Sequence, residues 1–163
     1  MERDVQLVFL DDKYIKFLFS KDKHVMYKKG QKRPYLGVLF TYKRHKYYAP
    51  LSSPKEKHLS MKNNESLLKL DGGKLGVINF NNMIPVIDTA IHYINMKQIE
   101  NTKYKFLLIN QIKIINKQEE SIIHKAIKLH KAYRENKLRK PIREICCDFI
   151  YLEKEYKKYN PNF

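Results

Sequence analysis

The hydrophobic pattern of this chain changes its period between residues 87 and 102, and this change constrains the fold more than any other feature. Before it, short apolar runs bounded by turn residues predict β-strands. We place these strands at residues 5–9, 35–42, 46–50, 66–70, 74–80 and 83–87. After it, apolar residues recur every three or four positions, the period of an amphipathic helix. Strands followed by helices predict one α+β domain over residues 1–163, with an antiparallel sheet flanked by helices.

The predicted helices have recognisable ends and apolar stripes. A short helix is expected at residues 13–20, with Asp12 as its N-cap. Thr102 and Ser121 are candidate caps in the second half, and Pro141 suits the first turn of the last helix. The three apolar stripes are formed by Tyr104, Leu108, Ile112 and Ile115, by Ile123, Ala126, Ile127, His130 and Tyr133, and by Ile142, Ile145, Cys146, Phe149, Leu152 and Tyr156.

Positive charge is concentrated in one part of the chain. The net charge is +16, and residues 23–62, called the basic segment below, hold eleven basic residues and one acid, Glu56. Five tyrosines are interleaved with these cations: Tyr27, Tyr35, Tyr42, Tyr47 and Tyr48. Cations for phosphates and aromatic faces for bases are the mixture that binds single-stranded RNA. A solvated charged face is the alternative.

Several other classes of protein fit the sequence poorly. No run of apolar residues is long enough to span a bilayer, and the start at residues 1–4 is charged rather than typical of a signal peptide. We therefore expect a cytoplasmic protein. The adjacent Cys146 and Cys147 are read as reduced thiols, and no cysteine or histidine spacing suggests zinc.

One stretch of the basic segment carries a long motif, His45-Lys46-Tyr47-Tyr48-Ala49-Pro50-Leu51-Ser52-Ser53-Pro54-Lys55, followed by His58. It resembles the hallmark of the ToxN/AbiQ/CptN endoribonucleases of type III toxin–antitoxin systems. Three further pieces agree in order and spacing, namely Lys13-Tyr14-Ile15, Arg33-Pro34-Tyr35-Leu36-Gly37 and Leu75 to Phe80 leading to Met83-Ile84-Pro85. The resemblance covers residues 13–87 closely and the helical half loosely.

The resemblance implies a strongly twisted antiparallel sheet flanked by helices, as in Kid/MazF-type toxins. It also implies metal-independent RNA cleavage without a cofactor. The expected partners are mRNA as substrate and a repeated pseudoknot RNA as antitoxin, cut by the toxin from a precursor. The resemblance further implies a toxin–RNA oligomer and a role in phage defence or plasmid maintenance.

The resemblance also assigns roles to residues of this chain. Lys55 and Arg33 would stabilise negative charge on the phosphate, and Ser53 and Ser52 would donate hydrogen bonds to it. His58 is either a general acid or base or a structural histidine, while His45 and His130 are read as structural. The residues expected to bind RNA are Tyr14, Tyr27, Lys28, Lys29, Lys32, Tyr47 and Lys57.

Two alternatives remain open beside this reading. A non-catalytic RNA-binding module could use the same basic face. A peripheral membrane protein would instead need a basic amphipathic helix with Trp or Phe on its apolar side. This chain has no Trp, and its densest basic part is predicted to form strands and loops.

Overall fold

The computed structural model describes residues 5–162, which form a sheet followed by helices. The strands are β1 (Gln6–Leu10), β2 (Tyr35–Tyr42), β3 (His45–Ser52), β4 (Leu67–Lys69), β5 (Val77–Asn79), β6 (Ile84–Pro85) and β7 (Ile91–Tyr93). The α-helices are α1 (Asp12–Lys21), α2 (Glu56–Ser60), α3 (Thr102–Lys117), α4 (Glu119–Arg134), α5 (Lys140–Ile145) and α6 (Phe149–Glu155). The charged residues 1–4, on which the signal-peptide argument rests, lie outside the described part.

All strand pairs of the sheet are antiparallel, and the order is β4-β5-β3-β2-β1-β7 with β6 also beside β3. The strands β2 and β3 form its longest pairing, joined by a turn at Lys43 and Arg44, which both have positive φ. This confirms the predicted α+β class and the strand at Tyr35–Tyr42. The motif lies on β3, at the centre of the sheet.

The core lies between the sheet and the helices of the second half. Helix α4 packs against β2, and α6 packs against β6 and α1. A buried polar cluster joins these layers, because Glu153 of α6 accepts hydrogen bonds from Tyr47 of β3 and from Arg134 of α4 and lies 3.2 Å from the ring of His130. His130 is therefore the core histidine that the sequence predicts.

The ends of the helices differ from the sequence predictions. The observed N-caps are Asp11 for α1, Asn101 for α3 and Gln118 for α4, so the predicted caps Asp12, Thr102 and Ser121 are wrong by one to three residues. Pro141 does lie in the first turn of α5. None of the described helices is long and apolar enough to cross a membrane.

The third apolar stripe is divided between two helices rather than carried by one. The backbone is extended at Cys146, and the amide of Cys147 donates to the carbonyl of Asn81 at 2.8 Å. Both thiols are buried and unbridged. The break lets residues on either side of it, Ile142 and Phe149, both reach the core.

Candidate active site

The motif places a short loop of hydroxyls and one cation at the end of β3. Residues 52–55, called the serine–lysine loop below, connect the last residue of β3 to the first turn of α2. Ser53, Pro54 and Lys55 are exposed, while Leu51 before them is buried. The loop therefore presents Ser53 and Lys55 to solvent from a rigid strand.

The Ser52 hydroxyl is held by two donors from other parts of the chain. Asn79 of β5 donates from Nδ2 at 2.8 Å, and Arg33 donates from Nη1 at 3.4 Å. Because a hydroxyl accepts through two lone pairs, both contacts leave its proton available. The Ser52 hydroxyl can therefore donate to a phosphate oxygen beside the loop.

Arg33 ties the segment before β2 to the loop. Its Nη1 also donates to the carbonyl of Leu51 at 2.9 Å, and the amide of Leu51 donates to the carbonyl of Pro34. Burial lowers the pKa of Arg33 from its ordinary value of 12.5, yet an arginine remains charged in proteins. A fixed positive charge thus lies directly beside Ser52.

His58 organises the backbone of Lys55 rather than facing solvent. Its ring nitrogen Nδ1 accepts the amide proton of Lys55 at 3.0 Å, and its own amide donates to the carbonyl of Lys55 at 2.9 Å. The residue is only 2% exposed. Burial, followed by the charges of Lys57 and Lys55, lowers the pKa of His58, so the ring is neutral. These contacts favour the structural reading of His58.

Two residues outside the motif brace the loop from behind. A Cβ atom at Gly76, where φ is +92°, would overlap the carbonyl oxygen of Ser52. Only a glycine permits such a close approach of the backbones at residues 76 and 52. The neighbouring Leu75 is held by Gln111 of α3, whose Nε2 donates to the carbonyl of Leu75 at 2.9 Å. The segment that packs against Ser52 is therefore tied to α3.

A cleft of about 830 Å³ opens beside Arg33. Tyr27, Lys28 and Lys32 of the basic segment line it together with Arg33. The structure therefore brings these four residues together. Lys29 is exposed in the same segment but does not line the cleft, and Lys57 is exposed on α2.

Two tyrosines that were expected to bind RNA are core residues. Tyr14 and Tyr47 are both 0% exposed. The Tyr14 hydroxyl donates to the carbonyl of Pro85 at 2.7 Å, and that of Tyr47 donates to Glu153. Neither ring can stack on a base, so their assignment to RNA binding is wrong. Their positions inside the motifs reflect packing.

Sequence reasoning missed Asn79 and Gln111 as parts of the site. Asparagine is uncommon within strands, and Asn79 in β5 is the one local signal that pointed to a polar task. Gln111 is 2% exposed on an apolar helix face, which is also unusual for an amide. Asn79 contacts Ser52, and Gln111 contacts Leu75 beside Gly76; both contacts join distant parts of the sequence and could not be deduced from spacing.

The described residues do not bring together the usual side-chain ligands of a metal ion. Within 5–162, no group of three or more histidine, cysteine or acidic side chains is arranged to hold one. The chemistry available around the serine–lysine loop is that of hydroxyl donors and cations acting on an anion. Such groups suit stabilisation of a negatively charged transition state.

Comparisons with known proteins find relatives that match most of the chain. The family described as toxin ToxN of type III toxin–antitoxin systems matches residues 6–157. Endoribonuclease ToxN of Pectobacterium atrosepticum is 29% identical over 92% of this chain and 91% of its own length. Endoribonuclease ToxN of Bacillus thuringiensis subsp. kurstaki is 28% identical over 92% of this chain and 81% of its own length.

Solved structures show the same fold. One, from work on a processed non-coding RNA that regulates a bacterial antiviral system, has a TM-score of 0.82 at 27% identity and covers 95% of this chain and 99% of its own. Another, from work on selective toxin inhibition by a non-coding RNA pseudoknot in type III systems, has a TM-score of 0.74 at 26% identity, covering 94% and 98%.

The antiparallel sheet with its helices, together with relatives that match over most of the chain, defines the class of endoribonuclease toxins. The chain belongs to the ToxN toxin family of type III toxin–antitoxin systems. It is accordingly an endoribonuclease, as its curated relatives are.

Proposed function

We propose that this endoribonuclease cuts RNA by transesterification at the serine–lysine loop, without a metal ion. The 2′-hydroxyl of the substrate attacks the adjacent phosphorus, the bond to the 5′-oxygen breaks, and a 2′,3′-cyclic phosphate and a 5′-hydroxyl are left. The proton of the 2′-hydroxyl is lost and the 5′-oxygen gains one. The enzyme needs chiefly to stabilise the extra negative charge on the phosphate oxygens.

The observation that carries the proposal is the arrangement of donors around Ser52. Arg33 supplies a fixed charge beside it, and Ser53 and Lys55 extend from the same loop into solvent. In this scheme Lys55 and Arg33 neutralise the pentavalent phosphate, and the two serine hydroxyls donate to its oxygens. His58 positions Lys55 and takes no proton.

The partners that we propose are RNAs. The substrate is cellular mRNA, and a small pseudoknot RNA, cut by the toxin from a repeated precursor, is the inhibitor. A solved relative described in terms of toxin inhibition by an RNA pseudoknot supports this assignment. The inhibitor would occupy the basic segment as a bound product, in a toxin–RNA oligomer within the cytoplasm, and act in phage defence or plasmid maintenance.

The test uses labelled RNA and excess chelator. Wild-type protein should cleave it, and mass spectrometry should find cyclic-phosphate ends. Lys55→Ala should reduce the rate by about 10²–10³-fold, the usual effect of losing one such stabilising group. Activity that needs added Mg²⁺ would overturn the mechanism. Tight RNA binding without any cleavage would instead identify the non-catalytic binding module.

A further inference from the structure

The cleft beside Arg33 extends well beyond the serine–lysine loop. It lies at the carboxyl end of β1, which runs between β2 and β7 in the sheet. Lys28, Lys32 and Arg33 enter it from the segment that leads into β2. Tyr93 and Gln98 enter it from β7 and the turn after it. The two sides therefore come from different strands and carry different chemistry.

The β2 side of the cleft is cationic and continuous with the proposed site. Arg33 both lines the cleft and donates to Ser52, so the two features share a residue. The ammonium of Lys32 lies 5.8 Å from the centre of the Phe9 ring of β1, and both residues line the cleft. An RNA backbone leaving the serine–lysine loop would meet this row of cations first.

The β7 side of the cleft offers aromatic surface instead. Tyr93 is 72% exposed, which is unusual for a large aromatic ring on a short strand. Tyr104 of α3 lines the same side and is half-buried, and burial raises the pKa of its hydroxyl. Solvent-facing aromatic rings next to a cationic row are the platform on which unpaired bases stack.

Carboxylates lie between the two sides, where a phosphate would be repelled. Asp11 and Asp12 follow β1 directly and both line the cleft. Asp11 uses Oδ1 to cap α1 at the amide of Lys13, and its Oδ2 lies 3.7 Å from His92. A carboxylate in such a place accepts hydrogen bonds from the amino groups of bases, as acidic residues do with cytosine.

We propose that this cleft is a subsite for one unpaired nucleotide next to the scissile phosphate, and that it selects a base with an exocyclic amino group. The phosphate of this nucleotide lies against Lys28, Lys32 and Arg33. Its base stacks on Tyr93, and the amino group of the base donates a hydrogen bond to Asp12. Adenine, cytosine and guanine satisfy this arrangement, while uracil turns carbonyl oxygens towards the carboxylates. The inference deepens the proposed function and rests on it.

Binding of uncleavable strands tests the subsite without requiring catalysis. The probes are short fluorescent single strands with 2′-O-methyl groups, made either of adenosine or of purine riboside, which stacks equally but lacks the amino group. Wild-type protein should bind the adenosine strand at least about 5-fold more tightly. Tyr93→Ala should weaken binding by about 5- to 100-fold. The matched control is Tyr151→Ala, another exposed tyrosine, on α6, which should change little.

A third variant examines the carboxylate itself. Asp12→Ala should remove most of the preference for adenosine over purine riboside, because it removes the acceptor of the amino group. Helix α1 should stay intact, since Asp12 is exposed and the capping hydrogen bond is accepted by Asp11. Equal binding of the two strands by wild-type protein would overturn the proposal. So would equal affinities of Tyr93→Ala and Tyr151→Ala, or a preference left unchanged in Asp12→Ala.

Cleavage of the corresponding ribose strand, measured in parallel, separates the two proposals. If wild type and Tyr93→Ala cleave with the same KM, the subsite is wrong while the nuclease mechanism stands. If wild type binds with the expected preference but cleaves no strand, the subsite stands and the proposed function fails.

Discussion

The Ser52 hydroxyl is the point at which three parts of the chain meet. It ends β3, it accepts from Asn79 of β5, and it accepts from Arg33 of the segment before β2. The exposed groups Ser53 and Lys55 follow it immediately. Asn79 contacts only the loop, whereas Ser53 and Lys55 are exposed on it, so substitutions at these positions should separate support of the loop from contact with a substrate.

Loss of the Asn79 amide should slow cleavage without unfolding the protein. Asn79→Ala removes the 2.8 Å bond to Ser52, and one such bond contributes about 0.5–1.5 kcal/mol, so a fall in kcat of about 2- to 10-fold is expected. The matched control is Asn82→Ala, which removes a 2.7 Å bond to the carbonyl of His24, away from the loop. Steady-state kinetics of both variants checks this, and an equal effect would remove Asn79 from the site.

The pH dependence of stability should reveal the role of His58. Its pKa is lowered in the folded protein by burial and by Lys57 and Lys55, so the folded state binds its proton less readily than the unfolded chain. Its contribution to stability is therefore complete above the ordinary value of 6.5 and is lost as pH falls through the lowered value. The amide of Lys55 then loses its acceptor.

Thermal unfolding of wild type and His58→Gln between about pH 8 and about pH 5 measures this contribution. The wild type should exceed the variant by the larger margin at the higher pH, and the margin should shrink as the solution becomes acidic. A margin that is constant with pH would show that His58 does not titrate in this way.

At the scale of elements, the sequence predicted those parts whose signal is local. The strand at Tyr35–Tyr42 has strong β-formers and a clear turn after it, and it is observed with those bounds. Strand β7 has only three residues, and its partner β1 lies more than 80 positions earlier, so no local sequence pattern predicts it. The residues of the cleft on this side were missed for the same reason.

The break at Cys146 and Cys147 also lacked a local signal. The apolar period continues through it, because Ile142 and Phe149 are buried on both sides. Directly after α5 the amide of Cys147 donates to the carbonyl of Asn81, and this contact between distant residues can be seen only in the folded chain. For the site, the motif named Ser52, Ser53 and Lys55, a second piece of the resemblance named Arg33, and their roles stay predictions. The contact of Asn79 with Ser52 required the fold.

Two glycines of one hairpin give a matched test of how the loop is supported. Gly76→Ala should abolish most activity, because its Cβ would displace the backbone of Ser52. Gly72→Ala also introduces a side chain at positive φ, +62°, but nothing lies within 4 Å of its Cβ, so only about 1–2 kcal/mol of strain is expected. Cleavage rates and thermal unfolding of both variants distinguish displacement of the Ser52 backbone from backbone strain alone. Similar losses of activity would contradict the proposed support.

At the scale of the whole molecule, charge and shape favour the same face for RNA. The basic segment supplies the serine–lysine loop, Arg33 and the cationic side of the cleft. Helix α4 lies on β2 and also carries exposed lysines, including Lys128 and Lys131, outside that segment. If placement rather than total charge governs RNA binding, the two sets of lysines should behave differently.

Salt dependence of RNA affinity should distinguish them. Each phosphate neutralised on a single strand contributes about −0.7 to the slope of log affinity against log salt. Charge reversal of Lys28 and Lys32 together should weaken binding and flatten the slope, while reversal of Lys128 and Lys131 should change the slope little. Titrations at several salt concentrations check this. An unchanged slope in the Lys28 and Lys32 variant would place the RNA elsewhere.

The substrate's own 2′-hydroxyl is the nucleophile that we propose at the serine–lysine loop. The most direct measurement compares two RNAs that differ only by one 2′-deoxy nucleotide on the 5′ side of the mapped cut, both in excess chelator. We predict that wild-type protein cuts the ribose strand to a cyclic-phosphate end and leaves the substituted bond intact, while still binding that strand. Cleavage of the substituted bond at a comparable rate would show that another nucleophile acts, and would contradict the account.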